Sequence, residues 1–259
     1  MLFLKLAIFN CLSLAGRKRK QWLLNHLQER IDIAFLQETK LASNEQLDSA
    51  ARFFRNRFHC HFSPACGRSA GSAIMIRKRP GLTVYTEYER DDSGRVCSVN
   101  LILRGEQYRL ISILAPDNPP QRTEYFTKLK QYLDTPCRAV LAGDFNCILQ
   151  ARDCTKRRPA DPSLKELQKL LRYFDLQDGA DGTPAPAPAF THWQGDCHVR
   201  LDRVYVSSEL ICMTASSRVT PVAFSDHSFV TITFENGDAR SNKEIATPSW
   251  QLWKLTESL

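Results

Sequence analysis

Arg138-Ala139-Val140-Leu141-Ala142-Gly143-Asp144-Phe145-Asn146 is the stretch that decides the architecture. A short apolar run closed by glycine has the length of a buried strand, and this one ends in a carboxylate and an amide. Both polar groups are thereby set at the edge of a sheet, within reach of water or a substrate. Taken alone, Gly143-Asp144 and Phe145-Asn146 are better explained by an Asx turn that closes the strand.

Further polar residues interrupt or end apolar runs in the same manner. Asn10 follows Phe9, Glu38 follows Phe35-Leu36-Gln37, Asp202 sits in Arg200-Leu201-Asp202-Arg203, and Asp226-His227 precedes the run 229–234. A carboxylate in a buried strand is costly unless it is paired or binds a metal. Each mark by itself reads as a turn or a cap. Five of them in one chain are hard to attribute to turns.

The chain around these marks has 259 residues, 43% hydrophobic and 24% charged, enough apolar material for one substantial core without disulfide staples. The net charge of +7 favours a polyanionic partner, although it serves solubility equally well. Nine cysteines, an odd number with no paired CxxC, argue against a disulfide scaffold and a structural zinc site and fit a reducing compartment. The apolar start 1–14 is broken by Lys5 and has no small-residue cleavage pattern, so it reads as a first strand and not a signal peptide. No segment approaches the roughly 20 apolar residues of a membrane span.

Strands are predicted at 3–9, 33–36, 72–76, 96–103, 108–113, 138–142, 201–206 and 229–234. Ser43 with Gln46 is a capping-box pattern that starts a helix through Phe54. Asp161-Pro162 opens another, whose Leu164, Leu167, Leu171 and Phe174 share one face. Helices are also expected over about 121–133 and from Arg17 to about Gln28. Many strands that do not alternate strictly with helices predict an α/β fold of two packed, mostly antiparallel sheets flanked by helices. Residues 179–189, with Pro184, Pro186 and Pro188 alternating, read as an extended surface loop, and the polar stretch 235–248 as a linker.

In order and spacing, Asn10, Gln37-Glu38-Thr39, Gly143-Asp144-Phe145-Asn146, Arg200-Leu201-Asp202 and Ser225-Asp226-His227 resemble the active-site motifs of the endonuclease/exonuclease/phosphatase superfamily. Gln37-Glu38-Thr39 and Ser225-Asp226-His227 together are specific to it, whereas Gly-Asp-x-Asn alone is weak. Ala151-Arg152-Asp153, Phe190-Thr191-His192-Trp193 and the tail Trp253-Lys254-Leu255 narrow the likeness to endonucleases of non-LTR, LINE-type retrotransposons of the Tx group. The resemblance implies a DNase-like four-layer α/β sandwich over 1–236, with 237–259 leading toward a reverse transcriptase of the same polyprotein.

It also implies Mg²⁺ as cofactor, with Mn²⁺ as a substitute, held by Glu38 with Asn10. Asp144, oriented by Asn146, would take a proton from the attacking water. His227 would stabilise phosphate charge with Asp226 holding its ring, and Asp202 would assist at the leaving oxygen. The partner would be double-stranded DNA and the product a nick with a 3′-hydroxyl, made by a monomer with no membrane attachment, in the nucleus after cytoplasmic transit. Arg152, Lys156, Arg157, Thr191, Gln194 and His198 are the expected DNA contacts, the last two in a hairpin turn over 194–198. The run Arg17-Lys18-Arg19-Lys20 is as well explained by a solvated face as by phosphate contact.

Two positions depart from the pattern. Leu114 stands where the superfamily usually has a Tyr, and Val199 where it has a Ser. Each loses a hydroxyl donor, which motivates one alternative, a catalytically silent DNA- or protein-binding module; the other is a related phosphodiesterase or phosphatase on the same scaffold, such as an abasic-site endonuclease.

Overall fold

The structure, a computed structural model, describes residues 3–235 apart from 29, 68, 104, 157, 158, 182 and 184–189. One six-stranded sheet runs in the order Thr214–Thr220 (β13), Phe229–Glu235 (β14), Phe3–Asn10 (β1), Ile33–Gln37 (β2), Ser72–Arg77 (β4) and Phe58–Ser63 (β3). The other runs Leu82–Arg90 (β5), Val96–Leu103 (β6), Glu106–Leu114 (β7), Arg138–Asp144 (β8), Asp202–Ser207 (β12) and Leu176–Asp178 (β9). A separate hairpin pairs His192–Gln194 (β10) with Cys197–Val199 (β11), turning at Gly195-Asp196. Helices are Arg17–Leu27 (α1), Asn44–Phe54 (α2), Pro119–Lys128 (α3), Lys130–Leu133 (α4), Ser163–Tyr173 (α5) and Ser208–Ile211 (α6).

Each large sheet is antiparallel except for one parallel pair, β1 with β2 and β7 with β8. A parallel pair needs a crossover, and α1 supplies the first while α3 and α4 supply the second. Ligands gather outside the carboxyl ends of such strands. Here those ends carry Asn10 in register with Gln37, and Leu114 in register with Asp144.

Three apolar clusters make the four layers. Leu6, Ile8, Phe35, Val99, Leu110, Val140 and Val204 pack between the sheets. The outer face of the first sheet buries Phe9, Leu36 and Met75 against α1 and α2 through Leu23 and Phe54. The outer face of the second buries Ile111, Leu141 and Tyr205 against α3, α4 and α5 through Phe126, Leu133 and Leu167. Strand alternation explains why one strand feeds two clusters: Val140 and Ala142 face inward while Ala139 and Leu141 face outward. The predicted architecture of two sheets between helical layers is the observed one.

All the predicted strands form, but the edge strands β3, β5 and β13 and the three-residue β9 are not among them, β3 although Phe58, Cys60 and Phe62 alternate along it. The Ser43–Gln46 capping box forms as expected. Asp161 caps α5 one residue further out than a simple N-cap, its Oδ1 accepting from the backbone and hydroxyl of Ser163. The helix expected over 121–133 starts earlier, at Asn118-capped Pro119, and breaks at Leu129. In the basic run, Arg19 lies over the Phe224 ring at 5.5 Å and buried Lys20 over Phe53 at 5.7 Å, so half of it serves packing. Most of the proline-rich loop and the stretch 236–259, tail motif included, lie outside the described residues.

Candidate active site

The two parallel pairs end against each other, and Asn10 joins them. Its Nδ2 donates to Glu38 Oε1 at 3.3 Å and to Asp144 Oδ2 at 3.1 Å, while its Oδ1 accepts from the Leu12 N–H. Both strand ends then turn sharply: Glu38 and Asn146 have left-handed backbone, φ 52° and 48°. Such a conformation is unfavourable for glutamate and survives where surrounding structure imposes it. Asn146 orients Asp144 through its backbone N–H, 3.0 Å from Oδ1, while its side-chain amide donates to the Ala115 carbonyl. Gly143 is required by close approach, because a Cβ there would lie 2.0 Å from the Ile113 carbonyl oxygen. Between the two polar side chains, Phe145 points the other way and packs edge-on against Tyr205 at 4.9 Å.

Strand β12 enters antiparallel to β8, which sets Asp202 directly opposite Asp144. His227, just ahead of β14, lies between them. Its Nδ1 is 2.8 Å from Asp202 Oδ2 and its Nε2 is 3.7 Å from Asp144 Oδ2. A carboxylate only accepts, so Nδ1 carries the proton. The carboxylate that holds the imidazole is therefore Asp202, which corrects the expectation that Asp226 does so. Asp226 instead lies 3.5 Å from His192 Nε2, half exposed at the rim. Nδ1 of His227 is taken by Asp202, so Asp226 stands near the ring without bonding to that nitrogen.

Burial, reinforced by Asp202, pushes the Asp144 carboxyl up to about 7 against the pull of His227. For His227, burial alone would lower the pKa, but Asp202 and then Asp144 outweigh it and raise it to about 10. His192 is lowered, by burial and then by His227. The dyad so made is a charged imidazole facing a carboxyl poised near neutrality, suited to a general base beside an anion-stabilising donor.

A sequence model of the Endonuclease/Exonuclease/phosphatase family matches residues 7–227. The chain belongs to the Endonuclease/Exonuclease/phosphatase family. Its reaction class is accordingly phosphoester hydrolysis, of the nuclease or phosphodiesterase kind. A curated relative, the Xenopus laevis "Transposon TX1 uncharacterized 149 kDa protein", is 33% identical over 173 residues, covering 64% of this chain and 13% of that protein. The chain thus spans a small part of that relative's length. Among solved structures, AP endonuclease LMAP from Leishmania major superposes with TM-score 0.79 at 18% identity, over 91% of this chain and 88% of that one. The 3′ phosphatase NExo from Neisseria, bound to product DNA hairpin, gives 0.73 at 21%, over 90% and 99%. These likenesses show the fold.

Endonuclease/Exonuclease/phosphatase enzymes use a divalent metal, and the residues at the β1 and β2 ends fit a hard one. Glu38 is partly exposed and offers carboxylate oxygens, one already drawing the Lys40 ammonium to 3.2 Å. Asn10 adds an amide beside it, though in this geometry it serves as a bridging donor. Oxygen donors with room for water are what Mg²⁺ takes. The trio Asp144, Asp202 and His227 also has metal-like spacing. In that trio Asp202 already takes the Nδ1 proton of His227.

A groove of about 1030 Å³ runs from Glu38 past Asp144 and His227 to Lys156, His192 and Gln194. Of the expected DNA contacts, Lys156 and Gln194 are exposed along it. Arg152 is exposed and pairs with Asp181 at 3.5 Å, and His198 is half-buried between Phe190 and Trp193. Arg157 lies outside the described residues. Thr191 is a correction: it is 1% exposed, and its hydroxyl accepts from the backbone N–H groups of Leu201 and Asp202, so it braces the catalytic strand. Leu114 and Val199 are buried apolar residues here, with no hydroxyl in their place.

The sequence reading missed a buried charge cluster behind Asp202. Arg203 pairs with Asp153 at 2.9 Å, and Arg200 pairs through one nitrogen with both oxygens of Asp178 at 2.7 Å. The two arginines flank Asp202 in sequence, and Asp153 ties them to the loop after Asn146. Arg200 and Asp153 did belong to motifs noted in the sequence, but pairing across 50 residues has no local signal.

Proposed function

We propose that this chain is the DNA-nicking endonuclease of a Tx-type non-LTR retrotransposon, acting with Mg²⁺ on double-stranded DNA in the nucleus. It leaves a 3′-hydroxyl from which a reverse transcriptase of the same polyprotein primes synthesis. The observation that carries this reading is the buried Asp202–His227 pair facing Asp144 at one end of a long groove, in a chain that is 33% identical to a transposon protein.

The residues divide the work by position. Asp144, steadied by the Asn146 N–H and Asn10, accepts the proton of the attacking water. His227, kept protonated by Asp202, donates to a non-bridging oxygen of the phosphate, where negative charge grows in the transition state. Asp226 stands at the rim beside His192 and sets the edge of that pocket. Glu38 with Asn10 would hold Mg²⁺, which when bound neutralises phosphate charge. Lys156 tracks the DNA backbone along the groove, with Arg152 beyond its edge, while Gln194 and His198 present the hairpin to a groove of the duplex.

Conversion of supercoiled plasmid to open circle in Mg²⁺ tests the reading. Asp144→Asn should abolish nicking while melting temperature and DNA binding persist, and His227→Ala should abolish nicking while DNA binding persists, at some loss of stability because Asp202 is left buried without its ring partner. A chain that hydrolyses only abasic or phospholipid substrates belongs to another branch of the family, and one that binds DNA without nicking is a silent module.

A further inference from the structure

The pair His192–Asp226 has no part in the chemistry described, yet it adjoins the catalytic imidazole. We propose that His192, Asp226 and His227 form a second metal site, for an imidazole-preferring cation of the Zn²⁺ class, whose occupancy takes His227 out of catalysis.

Geometry supports it in three ways. One ligand atom from each residue lies within 4.8 Å of the other two, close enough for a modest rotamer closure around one ion. Backbone pairing holds the group in place: His192 and His227 form an antiparallel bridge, the Trp193 N–H donates to the Asp226 carbonyl at 3.0 Å, and the Ser228 N–H to that of Thr191 at 2.7 Å. The rings sit 4.6 Å apart. His227 gives its Nδ1–H to Asp202, which leaves Nε2 as the ligating nitrogen. A carboxylate behind a histidine in this way is the usual support of a metal-bound imidazole.

A second observation comes from His192: its Nε2 faces Asp226 at 3.5 Å, and its buried Nδ1 has no hydrogen-bond partner among the described residues, so no hydrogen bond from that nitrogen fixes the ring against an ion. Asp144 Oδ2, 3.7 Å from His227 Nε2, is a fourth donor within reach. Two imidazoles and carboxylate oxygens suit Zn²⁺ or Co²⁺ and are a poor match for Mg²⁺, which takes oxygen and water. The two positions thus select different ions. Binding releases the Nε2 proton of His227 and removes the donor that faces the phosphate.

Co²⁺ is the probe, because four-coordinate Co²⁺ absorbs visibly. Titrating the reduced full-length chain should give one equivalent of an intense four-coordinate spectrum, displaced by Zn²⁺ and unaffected by millimolar Mg²⁺. His192→Phe and Asp226→Asn should each weaken that binding at least tenfold. Asp226 is 48% exposed, so its variant keeps the fold if His192→Phe does not. A weak six-coordinate spectrum, a thiolate charge-transfer band, or binding lost in Glu38→Gln but kept in both rim variants overturns the site. Separately, Zn²⁺ should inhibit plasmid nicking in Mg²⁺, and the rim variants should relieve it. Inhibition unchanged in both variants overturns the link to His227. The Co²⁺ titration decides the site even for a chain that nicks nothing.

Discussion

Replacing Asp202 by Asn preserves side-chain volume and deletes one charge at the centre of the site. His227 rises from an ordinary 6.5 to about 10 because Asp202, 2.8 Å away, and Asp144 outweigh burial. At about 1.4 kcal/mol for each tenfold change in proton affinity, that rise is worth on the order of 5 kcal/mol of preference for the charged ring. Coulomb's law gives a similar size, roughly 6 kcal/mol for unit charges at this separation and an effective dielectric of about 20. Without Asp202 the buried ring should lose its proton near or below neutrality. Nicking should fall on the order of 10²- to 10⁴-fold at pH 8, as for other imidazoles stripped of their carboxylate. The assay is initial nicking rate from pH 5.5 to 10.5, beside an NMR titration of His227. In the wild type the rate rises as Asp144 deprotonates near 7 and falls as His227 deprotonates near 10; in Asp202→Asn the falling limb moves down by several pH units. Stability follows the same sign. The pairing contributes fully below 6.5 and is lost as pH rises through about 10, so only the wild type should show this alkaline loss. A variant whose falling limb stays near 10 would refute the reasoning.

Asp153→Ala strips the nearer partner from a fully buried Arg203 and should cost about 3–5 kcal/mol, read as a denaturant-midpoint shift at unchanged slope. Gly143→Ala forces a Cβ onto the Ile113 carbonyl and parts β7 from β8, so about 3 kcal/mol or more of stability should be lost in urea unfolding. Lys156→Ala should weaken duplex binding evenly across sequences and lower the slope of log affinity against log salt by about one, measured by fluorescence anisotropy. Removing divalent cations with a chelator should stop nicking without lowering the melting temperature, because Glu38 and Asn10, which would hold the ion, lie outside the apolar clusters that hold the fold.

What the chain's order of residues determined by itself was the set of strands and the points at which they end. Val140 and Ala142 alternating with Ala139 and Leu141, stopped by Gly143-Asp144, is a local pattern with a local cause: apolar runs seek burial, and a carboxylate ends them where it needs polar partners. The same logic marked Asn10, Glu38 and Asp202 as site residues before any coordinates were considered. The Ser43–Gln46 cap was legible for the same reason, since both of its hydrogen bonds lie within one turn. Only the tertiary structure decided which carboxylate serves which group. The resemblance implied Asp226 for His227, but the antiparallel entry of β12 brought Asp202 to the Nδ1 of the ring instead. Thr191 was turned inward by the same packing, and Asp153 met Arg203 across 50 residues. Side-chain direction and long-range pairing depend on how two sheets stack, and no single segment of sequence carries that information.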